Sequence, residues 1–219
     1  MQFKCKYAIF DNDGTLLESM YYWRLGALEF LLAHRLPIPD EMTLGELFSF
    51  SSRKFTRMLM ETGGFEPQAV IAEMEARMER HYLFDVNEKP GVGAFLDGLA
   101  QAGTRMCVCT AAPRELCAKA LERFGLRERF AFVTDSYEIN LDKGEADCFR
   151  AVAERLGARP QDCWVFEDSL YAMRAAKEAG MRVCAVAEYT QRHHRQEILE
   201  LADAWIEDYR QQPRMLKDA

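Results

Sequence analysis

The sequence predicts an α/β protein: a parallel sheet covered by helices on both faces, with a helical segment inserted after the first strand. Three observations carry that prediction. From about residue 92 onward, short apolar runs rich in β-branched or aromatic residues alternate with longer amphipathic stretches, the rhythm of strand–helix–strand units. The short runs are apolar along their whole length, as strands buried on both faces require. Between residues 17 and 87 the rhythm stops, and apolar residues recur at the three- and four-residue spacing of helices.

Taken in order, Tyr7 to Phe10 is the first strand. The insert follows as helices over Glu18 to Arg35, Leu44 to Glu61 and Gln68 to Tyr82, with Pro37 and Pro39 separating the first two. Lys89-Pro90-Gly91 marks the return to the alternating part. There Val92 to Ala102 reads as a helix closed by Gly103, and Arg105 to Thr110 as a strand. Pro113 suits the first turn of a helix that runs to about Phe124 and stops at Gly125. Phe130 to Val133 is a strand and Ala146 to Leu156 a helix ending at Gly157. Cys163 to Phe166 is a strand, Ser169 to Ala179 a helix closed by Gly180, and Val183 to Ala187 and Ala204 to Ile206 are two further strands.

A length of 219 residues suits one core with an inserted subdomain, residues 1–16 and 88–219 forming the core and 17–87 the insert. A hydrophobic share of 49% against 29% charged is a globular balance, which argues against disorder. The net charge of -7 repels a phosphate backbone, so no nucleic-acid partner is expected. The short basic run from Gln191 to Arg195 is bordered by Glu197 and Glu200 and reads as a solvated helix face. Seven scattered cysteines without a CxxC spacing read as small buried hydrophobes in a reducing compartment. The apolar run before Asp11 is too short for a secretion signal or a membrane span. The expectation is a soluble, cytoplasmic protein with no membrane partner.

The residues that carry chemistry begin with Asp11-Asn12-Asp13-Gly14-Thr15, directly after the first strand. Ligands of α/β sheets bind at the carboxyl ends of the strands. Two carboxylates two residues apart can face one side there, hold a divalent metal, and divide the labour of nucleophile and general acid. Such strings also occur in ordinary turns. An EF-hand would place its glycine where Leu16 stands. Three later positions give the motif company: Thr110 closing a strand, Lys143 just ahead of a helix, and Glu167-Asp168 closing another strand. Taken singly, Thr110 reads as a helix cap, Lys143 as a solvated charge, and Glu167-Asp168 with Ser169 as a capping group. Taken together they supply what phosphoryl transfer needs. Acidic groups hold Mg2+, which with Lys143 neutralises the phosphate oxygens; Thr110 and nearby backbone N–H groups donate to them; Asp11 attacks in line.

This ordered set resembles the haloacid dehalogenase superfamily of phosphohydrolases. The DxDGT motif corresponds to Asp11–Thr15, the strand-ending Ser/Thr to Thr110, the lysine to Lys143, and the acidic pair to Glu167 and Asp168. The run from Val165 to Ser169, continuing through Ala175–Met181, is similar to the branch holding β-phosphoglucomutase and phosphoglycolate phosphatase. The resemblance implies a Rossmann-like core with an α-helical cap and a Mg2+-dependent phosphatase of small phosphate monoesters, with a sugar phosphomutase as the alternative. It implies that Asp11 forms an aspartyl-phosphate and that Asp13 protonates the leaving oxygen and later activates water. Magnesium would be held by Asp11, the backbone carbonyl of Asp13, and Asp168, with Glu167 nearby or acting through water. Substrate would meet Thr110, Ala111, Lys143 and a cap arginine, Arg53. Arg53 equally fits a solvated helix face with Lys54, Arg57 and Glu61. The sequence departs from the branch in three places: Gly144 follows the lysine instead of Pro, Ala111 follows Thr110 instead of Asn or Ser, and Trp23 stands near a histidine of the mutases. A signalling receiver also pairs a phosphorylated Asp with Thr and Lys, but in the reverse chain order.

Overall fold

The computed structural model describes residues 3–37 and 64–217. Its sheet comprises β1 (Tyr7–Phe10), β2 (Arg105–Thr110), β3 (Val133–Asp135), β4 (Cys163–Glu167), β5 (Arg182–Val186), β6 (Ala204–Ile206) and β7 (Arg214–Met215). The order is β3-β2-β1-β4-β5-β6-β7, parallel throughout except for the antiparallel β6–β7 edge. This is a Rossmann-like α/β fold. The chain starts mid-sheet, runs outward through β2 and β3, and returns to the other flank of β1 with β4. Such a reversal opens a crevice at the carboxyl ends of β1 and β4, because the connections on either side of it leave toward opposite faces.

Among the described residues the α-helices are α1 (Met20–Ala33), α2 (Pro67–Phe84), α3 (Val92–Gln101), α4 (Arg114–Arg123), α5 (Ser136–Ile139), α6 (Ala146–Leu156), α7 (Leu170–Glu178) and α8 (Arg195–Leu201). Side-chain alternation along the strands decides which helix covers which face. Ala8, Phe10, Met106, Val108, Trp164 and Phe166 point to one side and pack with Phe95 and Leu96 of α3 and Leu116 and Leu121 of α4. Ile9, Cys107, Cys109, Val165 and Val183 point to the other and pack with Phe149 and Val152 of α6 and Met173 of α7. Both faces are therefore apolar, which is why these strands read as unbroken hydrophobic runs. Phe10 and Phe166 stack at 4.3 Å across the β1–β4 pair, locking the two strands that bound the crevice. Each such ring taken wholly out of water contributes about 1.5–3 kcal/mol.

Two crossings join the sheet to α1 and α2, and they run side by side. Glu18 N–H donates to Asn87 O at 2.8 Å and Lys89 N–H to Leu16 O at 2.8 Å, an antiparallel pairing of the outgoing and returning chain. Beyond it, Phe30 and Leu31 of α1 pack on Val70 and Met74 of α2 in a small core of their own. Met78, Tyr82 and Val86, nearer the crossing, belong instead to the cluster on the sheet.

Most elements fall where the apolar pattern puts them, within a residue or two at their ends. The third strand is the exception, since the apolar run predicts 130–133 and the strand is Val133–Asp135. Its pairing with β2 begins only at Ala131, whose N–H donates to Met106 O, and the chain before it is tied in a short turn over Arg127–Arg129. Pro113 immediately precedes α4 instead of lying in its first turn. The expected helix over 44–61 lies outside the described residues. The pattern gave no sign of α5 or β7, one a single turn and the other an exposed two-residue edge. The basic run 191–195 falls in a short 3-10 stretch leading into α8, with Arg192, His193 and Arg195 exposed. All seven cysteines are free thiols and all but Cys5 are buried, as small hydrophobes are. Among the described residues no helix is long and apolar enough to cross a membrane.

Candidate active site

The parallel register brings the motif residues to one level. Phe10 sits opposite Val108 of β2 and Phe166 of β4. One step on are Asp11 and Glu167, and one further are Thr110 at the end of β2 and Asp168 just past β4. Asp11 N–H donates to Phe166 O at 2.9 Å, carrying the ladder one rung beyond the strand and fixing the carboxylate at the crevice mouth. Lys143 reaches the same place from the loop ahead of α6, so it is a buried cation and not a solvated one.

Lys143 Nζ bonds Asp11 Oδ1 and lies 2.7 Å from Glu167 Oε1. The other oxygen of Glu167 accepts the N–H groups of Asp168 at 2.5 Å and Ser169 at 2.9 Å. Asp168 Oδ1 accepts from Thr15 Oγ1 at 3.3 Å and Ser169 Oγ at 3.5 Å. Its Oδ2 is buried with no hydrogen-bond partner among the described residues. Ser169 makes no side-chain cap on α7, so the acidic pair is not held there as a capping group. Thr110 caps nothing either. Its Oγ1 accepts from Ala112 N–H at 3.0 Å and Cys117 Sγ at 3.7 Å, while Asp135 takes the first N–H of α4, from Arg114, at 2.8 Å. With its lone pairs engaged, the Thr110 hydroxyl has its single proton to offer outward.

The electrostatics of this cluster ask for a cation. Asp11, Glu167 and Asp168 can bring one oxygen each within 4.8 Å of one another, all buried, against the single ammonium of Lys143. Fully ionised, they leave two negative charges uncompensated where desolvation is expensive. Burial, and then the charges of Glu167 and Asp11, push the Asp168 carboxyl well above the ordinary range. Burial and then Glu167 push Asp11 up to about 8, against the pull of Lys143. Burial disfavours the Lys143 ammonium, but Asp11 and Glu167 outweigh it and hold its pKa well above the usual lysine value. Hard carboxylate oxygens, one of them orphaned, fit a small divalent ion such as Mg2+. Gly14 makes the approach possible. Its φ of +80° is open to glycine, and a Cβ there would stand 2.6 Å from Asp168 Oδ2. Glu167 has both oxygens engaged, so Asp168 and Asp11 are the better direct ligands.

Asp13 is held differently. Its Oδ1 accepts from Ser19 Oγ at 2.5 Å and from Tyr82 Oη at 2.5 Å, and its Oδ2 from Asn12 Nδ2 at 3.3 Å. Asn12 also reaches Cys117 Sγ of α4 at 3.3 Å. Trp23 Nε1 of α1 donates to Tyr82 Oη at 3.0 Å. The structure thus brings together Asp11, Asp13, Thr110, Lys143, Glu167 and Asp168, with Ala111 following Thr110 at the end of β2. Arg53 lies outside the described residues. Sequence reasoning missed Ser19, Asn12 and Tyr82. The available signal was the four-residue spacing of Met74, Met78 and Tyr82, which puts Tyr82 on the buried stripe of its helix.

The family model of haloacid dehalogenase-like hydrolases matches residues 5–180. The plasmid-borne protein CbbY of Cupriavidus necator is 31% identical, over 79% of this chain and 74% of its own length. The fructose-1-phosphate phosphatase YqaB of Escherichia coli is 28% identical, over 79% of this chain and 92% of its own. Among solved structures, CbbY from Rhodobacter sphaeroides in complex with phosphate superimposes with a TM-score of 0.80, covering 94% of this chain and 95% of that one at 22% identity. That last likeness is one of fold.

Proposed function

Because this chain belongs to the haloacid dehalogenase-like hydrolases and is a phosphoric monoester hydrolase, we propose that it is a Mg2+-dependent phosphatase of small phosphorylated sugars working through Asp11. The observation that carries the reading is the buried pairing of Asp11 with Lys143 beside the orphaned oxygen of Asp168. Residues 1–16 and 88–219 form the catalytic core in this account, and residues 17–87 the cap over it.

The Asp11 carboxylate attacks phosphorus, and its new bond forms as the bond to the leaving oxygen breaks. Lys143 steers the attacking oxygen and balances charge on the phosphoryl group, while the Thr110 hydroxyl donates to an equatorial oxygen. Asp13 gives its proton to the leaving oxygen. It then takes one from the water that attacks the aspartyl-phosphate, so inorganic phosphate leaves and Asp11 is restored. Asp11, Asp168 and the Asp13 carbonyl would hold Mg2+, with Glu167 behind them; once bound, the ion supplies further neutralisation of phosphate charge. Arg53 of the cap would bind an anionic group away from the reacting phosphorus.

Phosphatase is favoured over phosphomutase. Trp23 stands near the mutase histidine and spends its only polar group on Tyr82, and several of the relatives are named for hydrolysis. The test is a hydrolysis screen across phosphate monoesters with and without Mg2+. Turnover should be highest on small sugar phosphates, vanish with chelator and return with magnesium. No phosphate release from any member would contradict the reading, and isomerised sugar phosphate without release would transfer it to the mutase.

A further inference from the structure

Tyr82 lies on α2, 69 residues from Asp13 in sequence, and its side chain is wholly buried among apolar neighbours including Leu17, Met78 and Val86. A phenylalanine would satisfy that packing. The hydroxyl is there for its two hydrogen bonds, one accepted from Trp23 and one given to Asp13. An indole N–H only donates, and a phenol has one proton. With Trp23 on its lone pair, the Tyr82 proton is committed to Asp13, and the chain has a fixed direction from Trp23 to Tyr82 to Asp13. Ser19 donates to the same oxygen, Oδ1, so that oxygen is occupied by two inbound protons. Among the described residues the other, Oδ2, meets only the longer contact from Asn12.

We propose that Tyr82, backed by Trp23, is a positioning residue for the proton transfer: it pins Oδ1 of Asp13 so that Oδ2 is the oxygen that hands the proton to the leaving group. The inference rests on the reading of Asp13 as the acid.

The test compares phenyl phosphate with p-nitrophenyl phosphate, whose leaving groups differ in their need for a proton while their shapes are alike. The quantity is the ratio of kcat/KM on the two, which reports the step that expels the leaving group. A variant that merely loosens the fold lowers both values together. Tyr82→Phe should lower the phenyl to p-nitrophenyl ratio about tenfold, part of the 10²–10⁴ typical of a whole general acid. Trp23→Phe should lower it in the same direction and less. Asp13→Asn should lower it most. A wild-type ratio in Tyr82→Phe beside a collapsed one in Asp13→Asn overturns the positioning role alone. A wild-type ratio in Asp13→Asn overturns the acid itself. Should Tyr82→Phe not fold, Trp23→Phe decides, and a wild-type ratio there overturns the chain.

Discussion

The sheet side and the helix side of the site hold their carboxylates in opposite ways. At the strand ends, Asp11, Glu167 and Asp168 crowd around one ammonium, desolvated, with an oxygen left over. On the side facing α1 and α2, Asp13 sits among neutral donors, Ser19, Tyr82 and Asn12, each giving a hydrogen bond and none a charge. The first arrangement is costly until a cation and an anionic substrate share it. In the second both oxygens of Asp13 are hydrogen-bonded as they stand, and the unpartnered atom among the donors is the neutral Asn12 Oδ1, so this side suits fixing geometry. In the proposed mechanism the unbalanced charges would carry the chemistry, and the hydrogen bonds on Asp13 would set its aim.

The sharpest way to break this contrast is at Asp11. Asp11→Asn should abolish magnesium-dependent phosphate release, a loss of at least about 10³-fold. It also removes one of the crowded charges, so thermal melts of the metal-free variant should not fall below wild type. Near-normal turnover would end the nucleophile assignment.

Asp168→Ala removes the orphaned oxygen and should raise the magnesium concentration for half-activation by roughly 10–100-fold, the size of effect seen even for groups that only support a ligand. A magnesium titration that overlays wild type would show that the ion sits elsewhere.

The unbalanced charge also predicts how stability responds to pH. Asp11 has an ordinary value of 3.8 and is pushed to about 8 in the folded chain. Its folded value is the higher one, so the stability it contributes is present below pH 3.8 and is lost as pH rises through about 8. Metal-free protein should therefore melt lower at pH 8 than at pH 5, with Asp168 acting in the same sense. Magnesium binds the ionised form, so its effect should grow over the same window. At a hundred times its Kd it contributes about 2.7 kcal/mol, roughly 5–10 °C for a chain of this length. Melts independent of pH in chelator, and unmoved by magnesium at pH 8, would remove the charge argument.

The smallest expected effect lies in the cap. Arg53→Ala should raise KM with a lesser loss in kcat, because the guanidinium would hold a part of the substrate that does not react. Unchanged kinetics on the best substrate of the screen would return Arg53 to a solvated helix face.

The contrast also explains what was legible in the sequence. Asp11, Thr110 and the Glu167-Asp168 pair stood out as candidates because each ends or follows an apolar strand, where a polar residue is out of pattern. Lys143 was legible only in their company. Tyr82 was not, since its partner is 69 residues away and a tyrosine on a buried helical stripe reads as packing. Ser19 falls inside the helix predicted from Glu18, yet it precedes α1, makes no cap bond and turns to Asp13. The third strand was misplaced by its ending, Thr134-Asp135, which is polar because Asp135 caps α5 and holds the first N–H of α4. For Tyr82 and for the bond from Arg114 to Asp135 the missing information is a contact between segments distant in sequence, whereas Ser19 meets Asp13 across a tight local turn; no apolar period encodes either.

The central claim is a covalent bond between Asp11 and the transferred phosphoryl group. Acid-quenching the enzyme during turnover with magnesium, followed by peptide mass spectrometry, tests it most directly, because acyl phosphates survive acid and are cleaved by hydroxylamine. The account predicts a hydroxylamine-labile phosphoryl adduct on the peptide that contains Asp11, absent from Asp11→Asn. An adduct on another residue, or one that persists in Asp11→Asn, would contradict it.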